Sequence, residues 1–287
     1  MREPIKVEVP GPVDLAPPPD SFVLLSRDLT NPTSDTALYL IISPPTPGHP
    51  GGDGWKAALG ASQKNPASAV LGIDLEKVQP AYTVPNCRFQ VMDVLEDWNL
   101  DTPFDFVHVR MLGDLSEKGR LVQTIFDNLN PGGWVEFTEW IVLLQSPNHS
   151  FEGTAFHRWN QHLRLRKLGS SLFYPTEYKA LLQDAGFEGI SETKNGAPTN
   201  ACYPGKRLQK VGTMMTANWK AILEPLTMPV FTGALGWTPE QVKSLLLEVR
   251  NEIDDTRYHS FMTLMTVCGR KPRDGTSSSS ASTSTAQ

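Results

Sequence analysis

Three runs decide the fold: AVLGID at 69–74, CRFQVMDV at 87–94 and FDFVHVR at 104–110. Each is short and apolar almost throughout, the pattern of strands buried on both faces. A helical run from Ser116 to Leu129 follows the third. Pro131-Gly132-Gly133 then turns the chain into another strand, GGWVEFTEW at 132–140. Strands alternating with helices need crossover connections, and these give an α/β fold with a mostly parallel sheet and helices on both sides. Asp74 and Asp93 close the first two of these strands. Both carboxylates therefore emerge at one carboxyl edge, where open α/β sheets bind ligands. An acid there can accept from both hydroxyls of a ribose, and a polar residue on the next strand can contact an adenine amine. Leu75 and Val94 offer apolar faces to the base, which completes an adenosyl pocket. A single such acid serves equally well to cap a turn; two at matching places favour a ligand.

Beyond Leu144 the pattern becomes more helical, with candidates at 156–168, 175–187, 208–223 and from Thr238 onward. Thr176 and Thr238 are placed as N-caps, with Pro239 at the first helical position. Residues 258–270 are rich in β-formers and read as a closing strand. At the start of the chain, residues 1–35 hold prolines at 4, 10, 12, 17, 18, 19 and 32 and read as an arm. Residues 273–287 are nearly all Ser, Thr and Ala after Thr276, and read as a disordered tail. The folded body is then 36–272, with a helical cap over about 151–250.

Composition narrows the function. The 287 residues are 39% hydrophobic and 20% charged, with 26 Lys and Arg against 31 Asp and Glu, a net charge of -5. There is no basic cluster, so the reading is no direct nucleic-acid binding by phosphate neutralisation. Apolar runs such as 37–42 and 140–144 are far shorter than the roughly 20 residues of a bilayer span, so no membrane partner is expected. No apolar segment follows the charged and proline-rich start, which points to a cytoplasmic or nuclear protein. Cys87, Cys202 and Cys268 fit neither a disulfide framework nor a CxxC zinc site, and no metal-ligand spacing stands out.

The run NPASAVLGIDLEKVQPAYTVPNCRFQVMDVLEDWNL at 65–100, with FDFVHVRMLGDL at 104–115 and NPGGWVEFTEW at 130–140, resembles the LaeA-type fungal methyltransferases. PTEYKALLQDAGF at 175–187, the segment at 234–261 and VCGRKP at 267–272 resemble the same family's C-terminal half. The resemblance implies a Rossmann-like class I methyltransferase sheet of seven strands with helices on both faces and a helical cap insertion. It implies S-adenosyl-L-methionine as cofactor, with Asp74 on the ribose, Asp93 and Val94 on the adenine, and Arg110 beside the cofactor. A small secondary metabolite would be the methyl acceptor, through an oxygen or nitrogen nucleophile. The alternative is a non-catalytic regulator of secondary metabolism working through regulatory protein partners, or a degenerate chain that binds no cofactor.

One departure from the family pattern is large. The family's first strand ends in an acid and runs into GxGxG before a helix. Here SPPTPGHP at 43–50 precedes GGDGW at 51–55, and prolines at that density cannot form a central ladder. Gly52 and Gly54 are what resembles the cofactor loop, and a turn is the plainer reading of them. A sheet lacking its central strand would leave its neighbours unpaired, so Leu38–Ile42 is expected to move into the vacant place.

No catalytic residue is identified. His108, His157 and His162 are weak candidates for a base. Glu136 and Glu139 differ by an odd number of residues and point to opposite faces of their strand, so they do not form an acid–base pair. Met214, Met215, Trp219 and Met228 serve as core or as an apolar pocket under the cap.

Overall fold

The structure, a computed structural model, describes residues 38–42, 54–75, 84–100, 102–164 and 172–273. The arm at 1–35 and the tail from 274 lie outside the described residues. Five strands carry the apolar runs of the first half: β1 Leu38–Ile42, β2 Ala69–Asp74, β3 Cys87–Val91, β4 Phe104–Arg110 and β5 Leu129–Gln145. Helix α1 Gly54–Lys64 follows β1, and α2 Lys118–Asp127 joins β4 to β5. Next come α3 Ala155–Arg164, a 3-10 turn at Tyr174–Glu177, α4 Tyr178–Asp184 and β6 Glu188–Pro198. Helices α5 Lys206–Gly233 and α6 Pro239–Glu252 lead to β7 Phe261–Arg270.

The strands form one sheet in the order β3-β2-β1-β4-β5-β7-β6. The strands β3, β2, β1, β4 and β5 pair in parallel, while β7 runs antiparallel between β5 and β6. This is a Rossmann-like α/β sheet of seven strands, the arrangement that the resemblance implies. Leu38–Ile42 does take the central place: Leu40 is opposite Leu71 on one side and Val107 on the other, and it is fully buried. Five residues of LYLII suffice because both ladders of β1 are filled, leaving no backbone edge open at the sheet centre. Residues 43–53, with Gly52, lie outside the described residues.

The expected turn at Pro131-Gly132-Gly133 does not separate helix from strand. It is an irregularity inside β5, where the register shifts between Phe104 and Phe106 opposite and Gly132 adopts φ +84°. One face of the sheet is closed by α2 and α4, which seat Leu121, Ile125 and Leu182 against Val107, Val135 and Phe137. Tyr178 stacks on Phe137 with ring centroids 4.1 Å apart. The other face meets α1 through Ala57, Ala58 and Ala61 beside Val70. A Cβ at Gly72 would stand 3.3 Å from the Ala58 Cβ on that helix and 2.7 Å from the Phe89 ring of β3.

The cap expected over 151–250 is not one block. The 3-10 turn, α4 and β6 belong to the sheet, whereas α3 before them and α5 and α6 after them build a second core. That core is aromatic: Trp159 and Trp219 meet edge to face at 5.4 Å, with Phe156 against both. The Trp159 Nε1–H donates to Thr227 Oγ1 at 2.8 Å. Helix α5 extends ten residues beyond the expected end at Leu223 and carries Pro225 and Pro229 inside it. Thr227 donates to the carbonyl of Leu223 within this proline-containing turn.

Helix α6 starts as expected, with Thr238 as N-cap in a reciprocal capping box. The Gln241 amide donates to Thr238 Oγ1 at 3.3 Å and the Thr238 amide to Gln241 Oε1 at 2.8 Å. Thr176 is not an N-cap. It lies inside the 3-10 turn and its hydroxyl donates to the Phe173 carbonyl at 2.8 Å. That turn satisfies the first α4 amides from the backbone, so no side-chain cap is used.

Gly212 marks the closest approach of α5 to the chain entering it: a Cβ there would stand 2.0 Å from the Asn200 carbonyl oxygen. Gly212→Ala should destabilise the protein by about 3 kcal/mol, since backbone cannot yield as a side-chain end can. Thr238→Ala should cost about 1 kcal/mol. Urea denaturation midpoints of the two variants check both, and equal midpoints would overturn the packing described for α5.

Candidate functional site

The order of the sheet sets the site. The chain runs outward from β1 to β2 and β3, then returns to β4 on the other side of β1, so the strand order reverses between β1 and β4. Ligands of open α/β sheets bind at the carboxyl ends beside such a reversal. Ile42, the last residue of β1, is level with Ile73 on β2 and Val109 on β4. Asp74 and Arg110 therefore both stand one residue beyond it, about 10 Å apart across β1 at the usual strand spacing.

Asp74 is buried, with 7% of its surface exposed, and its carbonyl accepts from the Met92 amide at 3.0 Å, which ties the ends of β2 and β3 together. Leu75 follows and is 55% exposed. Val91 at the end of β3 and Met111 just beyond β4 are also large, apolar and exposed. Half of the large exposed apolar side chains among the described residues thus stand at the carboxyl ends of β2, β3 and β4. An acid, a guanidinium and three apolar side chains on one edge can accept hydroxyl hydrogen bonds, meet an anion and flank a flat ring.

Asp93 and Val94 are placed differently from each other. Asp93 is half-buried, and its Oδ1 accepts from the Leu95 amide at 2.9 Å, so it closes a turn as well as standing at the edge. Val94 packs into the core between the sheet and α2, and its side chain does not present an apolar face to the edge. Its carbonyl accepts from Trp98 Nε1 at 3.1 Å. Gly54 opens α1, the helix that follows the central strand.

The edge has a further acidic residue, which the period of the strand marks only as facing away from Glu136. Glu139 on β5 is 1% exposed; its Oε1 accepts from the Leu112 amide at 2.9 Å and its Oε2 from the Tyr174 hydroxyl at 2.6 Å. Burial pushes its carboxyl up to about 7, against the opposing pull of these donors, the Gly113 amide and the Arg110 charge. Glu136 faces the other side, as the odd spacing predicts. It lies level with His108 and Cys268 in one row across β4, β5 and β7. His108 Nδ1 is 2.8 Å from Glu136 Oε1, and the Cys268 thiol donates to Glu136 Oε2 at 3.6 Å. Burial and the Glu136 charge raise the Cys268 thiol, so it is no nucleophile.

The other candidates for a base are occupied. His157 Nδ1 accepts from the Gly153 amide at 3.1 Å, and His162 sits in the cap core against Trp237 at 4.8 Å. Met214 is 63% exposed on the outer side of α5, while Trp219 is 1% exposed inside the cap core. Met215 and Met228 pack at the margin of that core. An open groove of about 540 Å³ is lined by Ala69, Pro85, Arg88, Leu100 and Thr102. It lies at the amino ends of β2, β3 and β4, opposite the edge with the acids. Among the described residues no group of three His, Cys, Asp or Glu could hold a metal, and no helix is long and apolar enough to cross a membrane.

Comparison with known proteins agrees with this topology. Residues 50–192 match the family described as a methyltransferase domain. Methyltransferase pytC of Aspergillus terreus is 30% identical over 220 residues, covering 75% of this chain and 68% of that protein. The secondary metabolism regulator laeA of Monascus pilosus is 29% identical over 224 residues, covering 75% of this chain and 60% of its own length. The protein-methionine methyltransferase laeA of Emericella nidulans is 26% identical over 223 residues, covering 75% of this chain and 59% of its own. With the seven-stranded order, the acids at its carboxyl edge and a methyltransferase at this identity and coverage, the chain belongs to the methyltransferase family.

Proposed function

We propose that the protein transfers a methyl group from S-adenosyl-L-methionine to an oxygen or nitrogen nucleophile of a small secondary metabolite. The observation that carries this reading is Asp74, a buried acid at the carboxyl end of β2, beside the reversal of strand order. The residues fit the group. Asp74 would hold the ribose hydroxyls, Asp93 the adenine amine, and Leu75 with the backbone at Val94 would flank the base. Arg110 would stand beside the amino-acid end, together with Gly52 and Gly54 before and at the start of α1. When bound, the cofactor supplies an electrophilic methyl group on a sulfonium.

What the chain itself contributes is orientation. Methyl transfer is an in-line displacement, and fixing the acceptor against the reactive carbon accounts for most of the rate. The apolar side chains of Leu75, Val91 and Met111 exclude water from the edge once a ligand covers them.

A second reading has its own support. The relatives named as regulators of secondary metabolism align with three-quarters of this chain at 26% to 29% identity, and residues 43–53 depart from the family's glycine-rich loop. In that reading the protein works with regulatory protein partners in the cytoplasm or nucleus, and binds cofactor weakly or not at all.

Calorimetric titration with S-adenosylhomocysteine separates the two, because product binding needs no knowledge of the acceptor. The enzyme reading expects micromolar affinity, and Asp74→Ala should weaken it about tenfold or more by removing a charged hydrogen-bond acceptor. Unchanged affinity in that variant would displace the ribose from Asp74. No binding by the folded wild-type chain would favour the regulator.

A further inference from the structure

The loop that leaves β4 passes over the carboxyl edge in an unusual conformation. Met111 adopts φ +53° and Gly113 φ +80°, so a side-chain-bearing residue sits in the left-handed region one residue before a buried contact. Such a conformation persists only where surrounding bonds over-determine it. Here the Met111 amide donates to the Thr138 carbonyl at 3.1 Å and the Leu112 amide to Glu139 Oε1 at 2.9 Å. The other Glu139 oxygen holds the Tyr174 hydroxyl at 2.6 Å. A second link runs in parallel: Lys118 pairs with Asp114 at the end of this loop and, at 3.2 Å, with Glu177 on the same 3-10 turn as Tyr174.

Building on the methyltransferase reading, we propose that Glu139 is a positioning residue. It latches the 111–115 loop to Tyr174, so that Arg110 and Met111 are held in the arrangement that binds the cofactor. Its carboxylate joins three separate parts of the chain: the loop beyond β4, the middle of β5 and the 3-10 turn.

The latch is sensitive to protons. Arg110 faces Glu139 from β4, Tyr174 from the 3-10 turn and Tyr178 from α4, with Asp114 beyond Tyr174. Among these, burial dominates and raises the closed-state carboxyl from 4.5 to about 7. Opening the loop admits water and returns the group to its ordinary value. The closed state therefore holds the proton more tightly than the open one, and by linkage closure is most favoured below pH 4.5 and is lost as pH rises through about 7. Above that value the balance is level.

Two variants test this. Glu139→Gln keeps the acceptor for the Leu112 amide but cannot ionise; Glu139→Leu keeps bulk and removes the acceptor. Amide hydrogen exchange of the 111–115 segment in the free protein, corrected for intrinsic rates, and titration with S-adenosylhomocysteine are both followed from pH 5 to pH 8. Wild-type protection and affinity should each fall about tenfold or more across pH 5 to 7.5. Glu139→Gln should stay flat near the wild-type low-pH level. Glu139→Leu should lose protection about tenfold at pH 5, with weaker ligand binding, while β4 and α2 stay protected.

A wild-type slope retained in Glu139→Gln overturns the latch, as does full Leu112 protection in Glu139→Leu. An open loop with unchanged ligand affinity overturns the positioning role. In each of these cases wild-type binding leaves the cofactor reading standing. No wild-type binding at any pH removes that reading and the positioning role together. Should Glu139→Leu fail to fold, the slope in Glu139→Gln still decides.

Discussion

Everything at the candidate site depends on the double pairing of β1. Five residues, Leu38–Ile42, fill the ladders of both β2 and β4, with Leu40 fully buried between Leu71 and Val107. Without them two rows of amides and carbonyls would lie unpaired in the middle of the sheet, a cost no side-chain contact could offset. The same strand sets the separation of Asp74 and Arg110, because each is the residue just beyond its level. The central strand is thus also the ruler of the site, and its short length matters less than its having two partners.

Much of this was legible in the sequence. The runs at 69–74 and 104–110 are apolar on both faces, the pattern of buried parallel strands; the run at 87–94 reads the same way, yet Arg88, Gln90 and Val91 are exposed, because β3 is the edge of the sheet. Asp74 and Asp93 were readable because an acid at the end of an apolar run has only the carboxyl edge to go to. Thr238 was readable because its capping box is local, made entirely within four residues. The opposite faces of Glu136 and Glu139 followed from the period of a strand alone.

What was not legible is what depends on partners distant in sequence. Thr176 looks like an N-cap by its neighbours, yet the backbone there tightens into a 3-10 turn, and the hydroxyl bonds backward to Phe173. Val94 follows an edge acid but is drawn into the core by α2. Glu139 carries no motif, and its importance comes from Leu112, 27 residues away, and Tyr174, 35 residues away. A buried carboxylate whose donors arrive from two other segments leaves no periodic trace. The one signal available was the pairing of an acid with apolar neighbours at the carboxyl half of a buried strand.

The division of the cap has a consequence for how this protein can be rearranged. The aromatic core of α3, α5 and α6 is assembled from two stretches of chain separated by α4 and β6, which stay with the sheet. The cap is therefore not a cassette: no single cut and rejoining can remove it or exchange it for that of a relative without also carrying away the outermost strand of the sheet.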